Sequence, residues 1–336
     1  MSTFKVEVVE IDEVKHHPNA DRLDLVTIKG MSYQVVTVRE NFYPGDWAYY
    51  FPIDSVIPQN FVEEFGIESY YSKKLRAAKL RGIFSEGLLI PVWKMILKFQ
   101  QNIPELGDDC TEFFGVTKYE TPILSGMAGE PESPIGLCRF PSPENLKRYK
   151  DIFAEGEQVV VTEKIHGTNF TVMVDSDGVP HIGSHNYFWK NNDKNAKLVY
   201  VRAYHENEAL QKLPPYTQVF GEIYGVQDLK YGLKNGEIAI AIFAVRLEEG
   251  FLDYEEFVGF CNQYFLPRVP ILYNGGFNWD TISQFNNANS VVDSGTMMEG
   301  VVVQPLTERT HPDIGRVAMK LISDRYLLRK EGTELH

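Results

Sequence analysis

The stretch from Val160 to Phe170 reads Val-Val-Thr-Glu-Lys-Ile-His-Gly-Thr-Asn-Phe and sets a lysine, Lys164, beside a glutamate, a histidine and a glycine. A lysine amine is a nucleophile only when deprotonated. With an ordinary pKa of about 10.4, fewer than about one molecule in a thousand carries the free amine at neutral pH. Burial or a neighbouring positive charge is needed to change that. Taken alone, the segment equally suits a surface lysine in a hairpin. Further along, Glu222 ends an apolar run between Gly221 and Gly225, as an ordinary solvated strand end does in many sequences. Glu299 stands at the mouth of the buried run Gly300 to Pro305, where a metal ligand or an acceptor for metal-bound water would be useful.

The elements that must position these groups follow from the patterning. Val159 to Val161 is continuous apolar strand, broken at Gly167 and resumed at Phe170, Thr171 and Val172, so Lys164 falls at a strand end or turn. Val172 to Val174, a turn at Asp175 to Gly178, and His181 to Asn186 form a hairpin pattern. Ile238 to Arg246 is a core strand carrying Phe243, and Tyr254 to Phe265 reads as a covering helix.

Upstream, β-like runs at Phe4 to Val9, Leu23 to Ile28, Gln34 to Val38 and Trp47 to Pro52, separated by turn residues, predict a small antiparallel barrel. The densest basic segment, Tyr70 to Arg81, carries Lys73, Lys74, Arg76, Lys79 and Arg81 next to paired tyrosines. It fits either nucleic-acid contact through stacking and phosphate binding or a solvated helix face. Gly, Pro, Ser and Glu cluster from Pro122 to Pro143 as in an exposed connector, which places a domain boundary near residue 125. Asn145 to Phe153 is expected to be a short helix.

At 336 residues the chain has room for two domains. It has no apolar run of 18 residues and no signal peptide at its start, which predicts a cytoplasmic protein without a membrane partner. Three widely spaced cysteines suit reduced core thiols rather than zinc or a disulfide framework. The net charge of −13 argues against a coat for nucleic acid, while leaving room for a local basic face and for carboxylates that hold Mg²⁺.

Glu163-Lys164-Ile165-His166-Gly167-Thr168-Asn169-Phe170 resembles the nucleotide-binding motif of the covalent nucleotidyltransferases, the superfamily of DNA ligases, RNA ligases and capping enzymes, and its spelling resembles the RNA ligase 2 branch. Most members carry Asp where this chain has His166. The segments around His185, Glu222, Phe243, Glu299 and Lys320 follow in the family's order. The N-terminal segments His17 to Leu23 and Leu80 to Leu88 resemble OB-fold domains of the tRNA-binding type. An N-terminal OB domain before a nucleotidyltransferase is similar to the layout of Deinococcus-type RNA ligases.

The resemblance implies an α+β chain: an OB-fold barrel over 1–125 that binds nucleic acid, and a nucleotidyltransferase (ATP-grasp-like ligase) domain of antiparallel sheets with flanking helices over 126–336. It implies ATP with Mg²⁺ or Mn²⁺, Lys164 as the adenylated residue, Glu222 and Glu299 at the metal and the ends, and Lys320 on the α-phosphate. Asn169 would work at the nucleic-acid ends. Glu163, Ile165, Gly167 and Phe243 would line the nucleotide pocket, Phe243 against adenine, although core packing explains a phenylalanine there as well. His185 stands where relatives have arginine, and Arg316 is the remaining cation near Lys320. The implied partner is RNA, or a nicked duplex, with 3′-OH and 5′-phosphate ends, joined by a monomer. A GTP-using capping-type enzyme and a non-catalytic RNA adaptor are the alternatives.

Overall fold

The computed structural model describes residues 4–69, 71–99, 103–119, 129–134, 136, 138–185 and 187–329. Tyr70, Asn186 and the boundary expected near residue 125 lie outside them. The chain forms two units, Met1–Glu120 with Asn145–Ile152, and Thr121–Glu144 with Phe153–His336. No helix among the described residues is long and apolar enough to cross a membrane.

The first unit is built on a five-stranded antiparallel sheet in the order Gln34–Val38, Leu23–Ile28, Glu7–His16, Trp47–Phe51, Leu88–Pro91. Successive strand residues point to opposite faces. Val9, Ile11, Val26, Ile28, Tyr50 and Leu89 therefore fill one core, while Val8, Tyr49, Phe51 and Ile90 fill another under Phe61 and Met95 from the helices Gln59–Phe65 and Val92–Phe99. Because both faces are covered, the strands read as apolar runs rather than strict alternation. Glu86 N–H donates to Gln34 O at 2.9 Å and Val36 N–H to Ser85 Oγ at 2.9 Å, which ties the first edge strand to the far side and nearly closes the barrel.

Two sequence expectations change here. The helix expected over Asn145 to Phe153 is absent, and residues 146–153 are turns and loop: Asn145 Oδ1 accepts from Lys147 N–H at 3.0 Å, a local bond that competes with helical pairing, and Lys147 O accepts from Ser32 N–H. The segment is spent on the first unit, where Lys147 Nζ meets the buried Glu86 carboxylate at 2.7 Å and Arg148 pairs with Glu7. Nor is the described part of the basic segment a helix. Lys79 lies in the small hairpin Ala78–Leu80 with Ile83–Ser85, and Arg81 takes φ 47° at its turn.

The second unit contains two antiparallel sheets. One has six strands, in the order Pro131–Glu132, Phe188–Trp189, Pro180–Gly183, Thr168–Val174, Thr217–Tyr224, Ala239–Arg246. The other has five, in the order Glu144–Asn145, Met319–Ile322, Gly300–Pro305, Gln158–Lys164, Ile271–Gly276. Phe170, Val172, Val219, Ile223 and Ile240 turn one face of the larger sheet into the main core, covered by helices Val199–His205 and Tyr254–Tyr264. The opposite face carries Asn169 directly across from Glu222, and Glu222 across from Ala241. At Ile165 to Gly167 the chain leaves the smaller sheet and enters the larger. Lys164 is the last residue of one sheet, and Asn169 lies near the start of the other.

Candidate active site

Gly167 is the hinge of that crossing. A Cβ there would lie 2.1 Å from the carbonyl oxygen of Ile223, so only glycine lets the two strands approach this closely. Gly300 plays the same part on the other side, since a Cβ would stand 2.3 Å from Leu321 O. These contacts bring Glu222 and Glu299 toward the lysine from different strands.

Lys164 pairs across the ladder with Gly300, and its Nζ meets Glu299 Oε1 at 2.7 Å. The lysine side chain is 26% exposed and the glutamate 10%, so the pair is largely screened from water. Burial by itself raises the Glu299 carboxyl, but the Lys164 ammonium and the hydrogen bond and charge of His166 outweigh it and hold it down to about 2. Glu222 behaves in the opposite way. Burial pushes its carboxyl up to about 8; Lys164 and the Gly167 N–H pull it down, and the Glu299 charge adds to the rise. The two acids therefore titrate far apart, Glu299 held down by its cationic neighbours and Glu222 raised by burial.

Lys320 pairs with Val302, which pairs with Thr162, two residues before Lys164. In-register residues share a face, so Lys320 and Lys164 emerge on the same side of the smaller sheet. Arg316, the other cation near Lys320, is spent elsewhere: it forms a two-pronged pair with Glu308 and lies over the Phe251 ring at 4.5 Å. Asn169 Oδ1 is buried without a hydrogen-bond partner in the structure, an acceptor left open beside Glu222. Glu163 is 1% exposed and accepts from Val291 N–H at 3.0 Å, with burial pushing its carboxyl up.

Phe243 owes its place to a β-bulge. Phe220 pairs with Ala244 and Gly221 with Ile242, so Phe243 is the extra residue and turns out of the ladder. It is half-buried, meets Phe140 at 4.9 Å, and packs against the cluster that contains Ile165. Burial first, and the charge of Arg139 second, hold the His185 imidazole below its usual range. A histidine close enough to Arg139 to feel its charge thus stands at position 185. Arg139 escaped the sequence reading because it lies in a Pro-rich stretch with no motif around it.

In the first unit, Lys73, Arg76, Lys79 and Arg81 are exposed. Lys74 is not equivalent to them. Its Nζ pairs with Asp54 at 2.6 Å and lies 4.5 Å from the centre of the Tyr119 ring, and the Tyr71 hydroxyl accepts from Ile57 N–H.

Residues 157–322 match the RNA ligase family model, and residues 5–92 match an OB-fold domain family. No curated protein matches the chain. Among solved structures, a lysine-to-alanine mutant of the Naegleria gruberi RNA ligase with ATP and Mn is similar at 24% identity and TM-score 0.77, covering 96% of this chain and 98% of that one. The same enzyme with PPi gives TM-score 0.77 at 24% identity over 97% and 98% of the two chains. A mutant with AMP and Mn gives 0.76 at 24% identity over 96% and 98%. At this identity the likeness carries the fold, an OB barrel followed by a ligase domain. Residues 157–322 thus form a domain of the RNA ligase family, behind an OB-fold domain over residues 5–92.

Proposed function

We propose that this RNA ligase uses ATP to join a 3′-OH end to a 5′-phosphate end through a covalent lysyl-AMP at Lys164. The observation that carries the reading is the 2.7 Å pair of Lys164 and Glu299 at the seam of two sheets, with Glu222 facing Glu299 and Lys320 on the lysine's side. The deprotonated Nζ attacks the α-phosphorus of ATP, and the bond to the bridging oxygen breaks with release of pyrophosphate. A 5′-phosphate oxygen then takes the AMP from Lys164, and a 3′-OH displaces AMP to close the phosphodiester.

The comparison structures hold ATP or AMP with Mn, and this site suits a divalent cation. Among the described residues no three His, Cys, Asp or Glu side chains form a ready metal cage. A two-carboxylate mouth nevertheless fits a hard ion completed by water and phosphate oxygens. Glu222 and Glu299 would hold it, two carboxylates that Lys164 approaches from one side. When bound, the cation neutralises phosphate charge and competes with Lys164 for Glu299. Lys320 would take an α-phosphate oxygen, and Phe243 would stack on the base.

We extend the proposal to nicked duplexes, with the exposed Lys73, Arg76, Lys79 and Arg81 on backbone phosphates and Asn169 at the ends. Incubation with α-labelled ATP or GTP, acid precipitation and peptide mapping tests the chemistry. Label from ATP on Lys164, abolished by Lys164→Ala, is the expected result. Label from GTP alone would favour a capping-type enzyme, and label retained in Lys164→Ala would refute the nucleophile.

A further inference from the structure

His166 is 3% exposed, and both of its ring nitrogens are engaged. Nε2 lies 2.8 Å from Asp228 Oδ1; Nδ1 lies 2.9 Å from the Tyr326 hydroxyl and 3.7 Å from Glu299 Oε2. The backbone N–H of His166 donates to the Tyr231 hydroxyl at 2.7 Å, so the ring is anchored at its base as well. Behind Asp228, its second oxygen accepts from Arg329 Nε at 3.3 Å, and the Arg329 guanidinium lies 3.4 Å from the centre of the Tyr326 ring. Tyr326 and Arg329 lie beyond the residues matched to the family.

A carboxylate can only accept, so Asp228 requires a proton on His166 Nε2, and attraction between Nδ1 and Glu299 Oε2 requires one on Nδ1 as well, with the Tyr326 hydroxyl then accepting. The Glu299 carboxylate then faces a positive group at each end, the imidazolium 3.7 Å from Oε2 and Lys164 Nζ 2.7 Å from Oε1. An unbroken row thus runs from Arg329 through Asp228, His166 and Glu299 to Lys164.

We propose that Asp228, paired with Arg329, is a positioning residue for adenylate transfer: together with the Tyr326 hydroxyl it fixes the His166 ring, which sets the Glu299 carboxylate against which Lys164 is aimed. The inference rests on the lysyl-AMP reading. It places Asp228 in the orientation of the nucleophile and outside the binding of ATP.

The test uses the full chain and single-turnover labelling with α-labelled ATP. The maximal rate per labelled molecule, the half-saturating ATP concentration, the labelled fraction at the endpoint and the melting temperature are all measured. Asp228→Asn keeps the shape and loses the charge; it is expected to label about tenfold more slowly or worse, as outer-shell partners of site groups do. Half-saturating ATP should move by less than about threefold, and Asp228→Glu should recover part of the rate. Should Asp228→Asn fold poorly, Tyr326→Phe decides, since it deletes one hydroxyl and should slow labelling at unchanged melting. Rates within about twofold of wild type in folded Asp228→Asn and Tyr326→Phe would reduce the row to a brace and overturn the inference. A wild-type chain that never labels would overturn the lysyl-AMP reading, and this inference with it.

Discussion

Glu222 should make the ligand-free enzyme less stable as pH rises, and replacing it should show by how much. Its folded carboxyl titrates at about 8 against 4.5 in the unfolded chain. A carboxyl raised in this way contributes stability that is complete below 4.5 and is lost as pH climbs to about 8, because only the folded state keeps the proton. The full span is a ceiling of ~5 kcal/mol. Glu222 is only partly buried, so water relieves some of the penalty and ~2 kcal/mol is the working figure. Glu222→Gln mimics the neutral acid and lacks this slope. It should match wild type near pH 4.5 and melt ~5 °C higher above pH 8, at ~2–4 °C per kcal/mol for a domain of this size. The depressed carboxyl of Glu299 does not confuse the comparison, since its contribution is intact above 4.5 and is lost only as pH falls toward 2. Mg²⁺ should raise the melting of wild type at pH 8 and close the gap, while ligation by Glu222→Gln is lost. Melting curves of both proteins from pH 5 to 9 measure this. A gap that does not change with pH, or a less stable Glu222→Gln at pH 8, would refute the reasoning.

Asn169→Ala should still form lysyl-AMP and seal nicks at least tenfold more slowly if, as proposed, its open acceptor serves the ends rather than the α-phosphate; equal loss in separate labelling and sealing assays would refute the split. His185→Arg should preserve or raise sealing, and His185→Ala should lower it; no response to either would place His185 outside the site. Alanine at Lys73, Arg76, Lys79 and Arg81 together should weaken duplex binding and flatten its logarithmic salt dependence by about 1 per lost phosphate contact, read by titration at several salt concentrations. An unchanged slope would remove this face from the nucleic-acid interface.

Much of the site was legible because its chemistry is local. Glu163 to Phe170 carries the lysine, its strand and the glycine that permits the crossing within eight residues. Glu222, Glu299 and Lys320 each announce themselves as a charge on an otherwise apolar strand. What the sequence hid was long-range. Nothing near Lys164 in the chain shows that its closest charge is an anion, Glu299, rather than a cation. Asp228, Tyr326 and Arg329 sit in unremarkable segments and matter only through contacts across 62 to 160 residues. The bulge at Phe243 leaves no pattern in an apolar run, and the turn at Asn145 reads as a helix until the partners of Lys147 and Arg148 are known.

The assignment of residues 145–152 to the first unit bears on how the protein comes to be made. A ribosome that has delivered residues 1–120 has delivered Glu86 before Lys147, and Glu7 with Lys5 but before Arg148. A buried acid stripped of its partner costs ~3–5 kcal/mol. The barrel therefore gains these last two ion pairs only after residues 121–144 have emerged and Lys147 and Arg148 have come back to it. For the same reason no single cut yields both halves whole: a gene split anywhere from 121 to 144 leaves the barrel without its last strip, and a split after 152 takes from the ligase domain strand residues Pro131–Glu132. The two modules are inherited together by the path of the chain.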